Sequence, residues 1–351
     1  MSQRTRAGLL ALCLLAVLWG AAFVVPLPYV IYSPGPTVDI LAETEGQETV
    51  RVTGHKAYYD DGELRMTTVY VSTPEEAVNL PELLQAYFAD DDAVWPKSSV
   101  YAPDETDESN DRESAGAMVS SQDTAIAAAL TQLGEELDPI VDIVDVTPGM
   151  PADGKLKVRD VLVRVGDTEI TEPQDVLDAI EGAPRGEPVP FVVRRDDKQR
   201  TVEVTPQEMD DGAYRVGFTP GVGFDFPYRV SVDIPDSIGG PSAGLMMSLA
   251  IYDTLTPGSL TDGADIAGTG TITPSGKVGP IGGIQQKIAA ARDAGADLFL
   301  VPADNCDGIG GVDTGDMRLA KASTMNRAVE TLADWVADRD AALPSCKDSA
   351  P

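Results

Sequence analysis

Two short stretches of this 351-residue sequence carry residue types that could perform nucleophilic chemistry. The first reads Asp-Ser-Ile-Gly-Gly-Pro-Ser-Ala-Gly and ends in an apolar segment that predicts a helix from Ser242 to Thr254. Ser242 would lie at the start of that helix, where free N–H groups and the positive end of the dipole favour a developing anion. Gly239 and Gly240 would let backbone N–H groups approach a substrate carbonyl, as an oxyanion hole requires. The alternative is an ordinary helix cap, in which the Ser242 side chain only satisfies a backbone amide.

The second stretch runs from Thr269 to Ala290 and contains Lys287 in a predicted helix from Ile284 to Ala294. Apolar residues flank this lysine on both sides. Burial of an amine against such a face lowers its pKa and leaves a neutral base that accepts a proton. The alternative is a surface lysine whose stem covers apolar atoms while its ammonium stays in water.

His55 is the single histidine of the chain, so a catalytic triad or a multi-histidine metal site would depend on it. Lysine is therefore the candidate base for a serine nucleophile. Gly276-Lys277 is followed by Val278, which does not fit the phosphate-binding loop of nucleotide hydrolases. We expect no metal and no cofactor.

Together the two stretches resemble the proteolytic domain of Lon-type peptidases. The matching residues are Gly-Pro-Ser-Ala-Gly at Ser242 and Pro-Ile-Gly-Gly-Ile-x-x-Lys-x-x-Ala-Ala at Lys287, and the lysine lies 45 positions after the serine. The resemblance implies that Ser242 is the nucleophile, Lys287 the base, and Thr269 a hydroxyl that hydrogen-bonds the lysine. One departure is Gly239, which stands where Lon enzymes commonly have an acidic residue.

A second resemblance lies upstream. The segment from Val146 to Gly166, with Thr-Pro-Gly-Met-Pro-Ala-Asp-Gly in its loop, resembles the PDZ domains of extracytoplasmic proteases. Such domains add a peptide as an extra sheet strand and hold its C-terminus with backbone amides. Leu137-Asp138-Pro139 would occupy the carboxylate-binding position, where a proline lacks a donor and an aspartate opposes the charge. The alternatives are therefore that this domain binds internal peptides, or that it has a gating role without binding a free C-terminus.

The elements needed to position these residues alternate between strands and helices, which predicts a mixed α/β fold. Residues 104–113 hold six acidic residues and one arginine and are expected to form a solvated loop. Along the chain we expect a cytoplasmic tip at 1–6, a transmembrane anchor at 7–31, a β-rich and helical N-terminal extracytoplasmic region at 32–135, a PDZ-like domain at 136–207, a Lon-type α/β domain at 208–340 and a tail at 341–351.

The N-terminus predicts a membrane segment. Ala7 to Val25 contains no charge and is long enough to cross a hydrocarbon core. Arg4 and Arg6 precede it and no basic residue follows until Arg51, which predicts a cytoplasmic N-terminus and an extracytoplasmic catalytic domain. A signal peptide cleaved at Gly20-Ala-Ala is the alternative.

The net charge indicates which partners the chain would bind, and the cysteines indicate where a disulfide could form. The net charge of −31 would repel phosphate backbones, so nucleic acid is not an expected partner. Cys306 and Cys346 would both lie outside the membrane, where a disulfide is a reasonable expectation; two unpaired buried thiols are the alternative.

The whole chain resembles the YlbL-type, membrane-anchored Lon-like peptidases of Gram-positive bacteria. That resemblance implies an ATP-independent extracytoplasmic serine endopeptidase acting on exposed or unfolded protein segments near the membrane, since no ATPase module is recognisable. Assembly into a homo-oligomer stays open. The alternatives are a catalytically silent PDZ receptor or chaperone on a Lon-like scaffold, and a signal-peptidase-like Ser/Lys enzyme.

Overall fold

The computed structural model is a mixed α/β protein, which confirms the predicted fold class. Asp236, at the start of the predicted nucleophile loop, and parts of the predicted tip and tail lie outside the described residues. The structure describes residues 3–44, 46–196, 198–209, 212–235 and 237–349.

Seven helices occur in the described residues. The first is long and apolar, and the others cover the sheets. Their bounds are α1 Gln3–Val24, α2 Leu80–Phe88, α3 Asp107–Gln132, α4 Pro173–Glu181, α5 Gly244–Leu255, α6 Ile284–Ala294 and α7 Met325–Ala337.

Twenty strands occur in the same described ranges, and many are only two to four residues long. Their bounds are β1 Tyr29–Asp39, β2 Glu43–Thr44, β3 Gln47–Glu48, β4 Val50–Thr53, β5 Glu63–Val71, β6 Ala93–Pro96, β7 Asp138–Val146, β8 Val161–Val165, β9 Thr168–Glu169, β10 Val189–Arg195, β11 Lys198–Val204, β12 Gln207–Glu208, β13 Tyr214–Arg215, β14 Phe218–Asp225, β15 Arg229–Val232, β16 Asp265–Gly268, β17 Thr271–Ile272, β18 Val278–Gly279, β19 Leu298–Pro302 and β20 Arg318–Ala322.

The larger body, here called the main module, is built on a six-stranded sheet in the order β20-β19-β16-β5-β1-β6. The four strands from β20 to β5 are parallel, and β1 and β6 add antiparallel pairs at the other side. Parallel neighbours need crossover connections, and α6 provides the one between β16 and β19.

Helices cover both faces of this sheet. Side chains alternate between the faces of a strand, so Leu298 and Leu300 of β19 enter one core while Phe299 and Val301 enter the other. The first core is shared with α3, α5 and α7, and the second with α6. The helices α5 and α6 therefore approach the sheet from opposite sides.

A smaller body, here called the inserted module, spans residues 138–225. Its sheet has the order β11-β10-β8-β7-β14, with β9 paired to β8, and α4 packs against it. Its own core includes Ile143, Phe191 and Val193, which are fully buried.

Two of the expected boundaries differ from the structure. The region at 32–135 is not separate, because β1, β5 and β6 complete the sheet of the main module and α3 packs on α5. The inserted module also extends past residue 207, because β14 pairs with β7 along its whole length. The main module is thus made of two chain segments that flank the inserted module.

The acidic segment at 104–113 is also different from its prediction, because α3 begins at Asp107. Thr106 caps this helix through a reciprocal pair of hydrogen bonds with Ser109. Asp107 and Glu108 then lie in the first turn, where negative side chains complement the helix dipole. Acidic residues here stabilise a helix start, although their density suggested a loop.

The C-terminal segment is tied back to the main module. Cys306 and Cys346 form a disulfide, with 5.1 Å between their Cα atoms. Lys321 N–H also donates to the carbonyl of Pro344 at 2.8 Å. The residues after α7 are therefore held next to β20.

Candidate active site

Ser242 and Lys287 meet beyond the carboxyl end of β16. Ser242 lies two residues before α5, on one side of the sheet, and Lys287 is on α6, on the other. Carboxyl ends of strands in open α/β sheets are common binding positions, because connections diverge there and leave a crevice. The Lys287 Nζ atom lies 2.7 Å from the Ser242 Oγ atom, which is hydrogen-bond distance.

Thr269 joins the two residues. It follows β16 directly and is fully buried. Its hydroxyl donates to the Ser242 carbonyl at 3.0 Å and lies 3.1 Å from the Lys287 Nζ atom. A hydroxyl has one proton, so the oxygen that donates to Ser242 accepts from the lysine.

Lys287 is almost completely removed from water. Its exposed fraction is 2%, and residues with aliphatic side chains, including Ile284 and Ile288, surround it on α6. Burial penalises the charged form and lowers the pKa of Lys287 to about 7. The amine can therefore be neutral near neutral pH, as a general base requires.

The backbone of the Ser242 loop is fixed by its neighbours. Gly270 N–H donates to the Ser242 carbonyl at 2.8 Å, and Leu245 N–H donates to the Gly270 carbonyl at 3.0 Å. These bonds join the start of α5 to the segment after β16. The nucleophile is thus held by the same segment that carries Thr269.

The two glycines predicted as oxyanion donors pack against α3. Gly240 has a φ of +85°, which L side chains rarely adopt, and its N–H donates to the Ser114 carbonyl at 2.8 Å. A side chain at Gly239 would put its Cβ 2.7 Å from the Cβ of Ser114. The expectation for Gly240 is therefore corrected: its N–H is engaged by α3 and is not free for a substrate.

Sequence reasoning missed the contribution of α3 to this site. Besides Ser114, the buried Ser121 donates from its hydroxyl to the Pro241 carbonyl at 3.2 Å. The signal that could have found this helix is residues 118–126, a stretch that resembles the YlbL-type peptidases. Its contacts with the loop could not be read from the sequence, because 120 residues separate the two segments.

The position of the PDZ carboxylate loop also differs from the sequence interpretation. The strand at one edge of the sheet is β14, with β11 at the opposite edge, and β14 lies between β7 and α4. The loop that enters this edge strand is Arg215–Gly217, with Gly217 at a φ of +84°. Leu137-Asp138-Pro139 instead leads into β7, which is covered by β14.

Family models match both modules. The model of the Lon protease (S16) C-terminal proteolytic domain matches residues 228–332, and the PDZ domain model matches residues 118–205. The predicted pairing of a Lon-type proteolytic domain with a PDZ domain is therefore confirmed.

Individual relatives agree with the family models. The Lon protease of Campylobacter concisus is 34% identical over 123 residues, covering 34% of this chain and 13% of that protein. Lon protease 1 of Herpetosiphon aurantiacus is 47% identical over 81 residues, covering 22% of this chain and 10% of that protein. The matched parts thus span about a tenth of the length of these relatives.

Among solved structures, the PDZ domain of an SdrC-like protein from Listeria innocua is 18% identical, with a TM-score of 0.22. It covers 23% of this chain and 92% of that structure. Both the relatives and the family model of residues 228–332 support a Lon-type serine protease.

Proposed function

We propose that this chain, which combines a Lon-type proteolytic domain with a PDZ domain, is a serine endopeptidase in which Ser242 is the nucleophile and Lys287 the general base. The 2.7 Å approach of a buried amine to the serine hydroxyl carries this proposal. A nucleophile within hydrogen-bond reach of a base, which a third group orients, is the general arrangement of activated serine enzymes.

The first half of the reaction forms an acyl-enzyme. The neutral Lys287 amine uses an N–H toward Thr269, which leaves its lone pair for the Ser242 proton. As that proton moves to Nζ, Oγ bonds to the carbonyl carbon of the substrate. The tetrahedral intermediate then expels the amine, which takes the proton from Lys287 as the C–N bond breaks.

The second half releases the product. Lys287, neutral again, takes a proton from water while the water oxygen bonds to the acyl carbon. Cleavage of the ester bond returns this proton to Ser242 Oγ. The N–H groups of Gly239 and Ser242 are the proposed donors to the oxyanion, aided by the dipole of α5.

The dyad is tested by substitution in the full chain. Ser242→Ala and Lys287→Met should each lower cleavage of an unfolded, fluorescently labelled protein by roughly a thousandfold or more, and the double variant should be no worse. This non-additivity is expected because nucleophile and base act as one unit.

Matched controls exist in the same segments. Ser237→Ala and Lys277→Met change exposed residues of the same types and should retain activity. Full activity of either dyad variant would exclude the proposed mechanism, whereas a wild type that cleaves nothing would favour a catalytically silent receptor.

The PDZ domain suggests binding of proteins or peptides, and we propose the free edge of β14 as the place. A peptide would add a strand there, beside α4, with its end near Arg215–Gly217. Leu177 on α4 and Val222 on β14 are exposed apolar side chains near this edge. Titration of a labelled peptide library against the wild type and Val222→Lys would test the location.

We also propose that α1 anchors the protein with the catalytic domain outside the cytoplasm. Its 22 residues would span roughly 33 Å, enough for a hydrocarbon core. A signal sequence near the N-terminus would have the same length and composition. Arg4 and Arg6 at the start of α1 favour a cytoplasmic N-terminus, and the disulfide after α1 favours an oxidising, extracytoplasmic location. N-terminal sequencing of the protein from membranes, with protease accessibility in spheroplasts, would test both points.

Independence from ATP belongs to the same proposal, because the sequence contains no phosphate-binding loop motif. Cleavage of unfolded protein should proceed equally with and without ATP and Mg²⁺. Stimulation by ATP would contradict it.

A further inference from the structure

One face of α2 is apolar and open to solvent. Leu80, Leu84, Tyr87 and Phe88 recur at helical spacing, and the last two are 72% and 77% exposed. Residues spaced in this way share one side of a helix. The opposite side contains Ala86, which is buried against the main module. We call the four exposed residues the α2 face.

The chain path holds the α2 face near the end of α1. Leu27, three residues after α1, donates its N–H to the Val78 carbonyl at 2.8 Å. Val78 directly precedes Asn79, which caps the start of α2. Three extended residues cover at most about 11 Å. The first turn of α2 is therefore fixed close to the point where α1 ends.

The two helices also share an open hollow. Trp19 and Phe23 of α1 line it together with Leu84 and Phe88 of α2. The Trp19 and Phe23 rings stack with 5.5 Å between their centres. Aromatic rings concentrate at the boundary between hydrocarbon and headgroups, where one end is apolar and the other wet.

Charge decides what kind of surface could cover the α2 face. The helix has no basic residue, and its one acidic residue, Glu82, accepts a hydrogen bond from the Asn79 N–H. Attraction to anionic headgroups is therefore not available, and the net charge of −31 would oppose it. Contact with a membrane must come from burial of apolar area.

We propose that α2 is an interfacial helix, which lies in the outer boundary of the membrane that α1 spans, with the α2 face toward the acyl chains. The proposal rests on the proposed anchoring by α1. The α2 face begins where the membrane-spanning helix α1 ends. Lipid, and not a second copy of the chain, is therefore the surface that we expect to cover this face.

This arrangement would orient the active site. The segment after α2 contacts α6, since Asp91 binds Arg292 at 2.8 Å and its carbonyl accepts from Gln286 at 3.1 Å. Gln286 directly precedes Lys287. The membrane surface would thus be connected to the catalytic helix through two contacts, and substrates would be presented at a fixed height above the lipid.

Spin labels on the full chain in phosphatidylcholine vesicles test the proposal. Phe88→Cys carries the label on the α2 face, in a Cys13→Ser background with the disulfide intact. Leu177→Cys is the matched control, an exposed apolar residue on a helix of the inserted module. Native Cys13, on α1, reports the anchor itself. The measured quantity is the ratio of collisions with oxygen to collisions with a water-soluble nickel chelate.

The expected result is a ratio at position 88 several-fold above that at position 177, with position 13 higher still. Equal ratios at 88 and 177 beside a high ratio at 13 overturn the proposal and leave the anchor intact. A low ratio at position 13 overturns both the interfacial position of α2 and the anchoring by α1. Spin–spin broadening at 88 that disappears on dilution with unlabelled protein means that a second copy covers the face, which also overturns it. Circular dichroism and thermal unfolding that match the wild type verify the fold of each labelled variant.

Discussion

Burial of Lys287 lowers the stability of the fold but provides the neutral amine that a general base needs. Desolvation of the buried amine is the cause that lowers the pKa of Lys287, and no carboxylate contributes to the shift. Most enzymes that use lysine as a base need such desolvation, since a hydrated lysine stays protonated at neutral pH. The same burial makes the protonated side chain unfavourable in the folded state.

Activity should therefore follow the titration of Lys287. Below pH 7 the amine is protonated, so kcat/KM should fall about tenfold per pH unit, and above pH 7 it should level off. The measurement is kcat/KM for a soluble peptide between pH 5.5 and 9.5. A kcat/KM that still rises about tenfold per pH unit up to pH 9.5 would mean that the amine is solvated and that the active site is not formed as described.

Lys287→Met should raise the stability of the inactive protein at neutral and acidic pH. The folded pKa of about 7 lies below the ordinary value of 10.5, so the unfolded chain binds more protons between these values. Stability of the wild type therefore rises from pH 7 to 10.5, and the cost of burial is complete below pH 7. We expect a melting temperature several degrees higher for Lys287→Met at pH 6.

The advantage of Lys287→Met should shrink as the pH approaches 10. Thermal unfolding of the two proteins at pH 6 and pH 9.5 measures the difference, with Lys277→Met as the surface control. An identical pH dependence of the wild type and Lys287→Met would argue against a buried, neutral lysine.

The sequence predicted the dyad but not its surroundings. Ser242 and Lys287 could be identified because a motif flanks each residue and the spacing links them. The engagement of Gly240 by Ser114 depends on how α3 packs, and no local pattern encodes that contact. Residues that carry chemistry are thus easier to predict than residues that hold them.

At the scale of elements, α3 connects the active site to the inserted module. It contacts the nucleophile loop through Ser114 and Ser121. Further along, Asp123 forms an ion pair with Arg159, which lies between β7 and β8. Asp123 is buried, and burial raises its pKa while Arg159 lowers it. This pair joins the two modules.

Arg159→Ala should destabilise the protein by about 1–3 kcal/mol at pH 7, because a buried carboxylate would lose its cation. The pKa of Asp123 would rise further, so the loss should become smaller as the pH falls and the carboxyl takes up a proton. Arg194→Ala is the matched control, since its pair with Asp225 is more exposed, and it should cost at most about 1 kcal/mol. Denaturant unfolding at pH 5 and pH 7 measures both; equal losses for the two variants would contradict this role.

Elements were predictable where the pattern was local. The helices around residues 242–254 and 284–294 were expected within two residues of their observed bounds. The strand β14 was not expected in the PDZ sheet, because its partner β7 lies about 80 residues earlier in the chain. Pairing across such a distance leaves no local signal in either strand.

At the scale of the whole molecule, the disulfide closes the end of the chain onto the catalytic sheet. The bridge spans 40 residues, which contain β20 and α7. In the chain-entropy model a loop of this length contributes about 3–4 kcal/mol. Reduction should lower the melting temperature by several degrees while leaving cleavage intact at temperatures below unfolding.

The double variant Cys306→Ser/Cys346→Ser should show the same shift, and Cys13→Ser should show none. Differential scanning calorimetry of all three proteins, with and without a reductant, measures it. A wild type that is insensitive to the reductant although its thiols become free would contradict a stabilising bridge.

The division of the main module by the inserted module also sets an order of biogenesis. Arg65 of β5 binds the Asp265 carboxylate of β16 at 2.8 Å, across 200 residues of chain. The inserted module needs only its own 88 residues and can close while synthesis continues, whereas β5 must wait until β16 has been made. Lys287 follows later still. A nascent chain therefore has no assembled dyad until most of it has left the ribosome, so the proposed peptidase would be inert while it is being made.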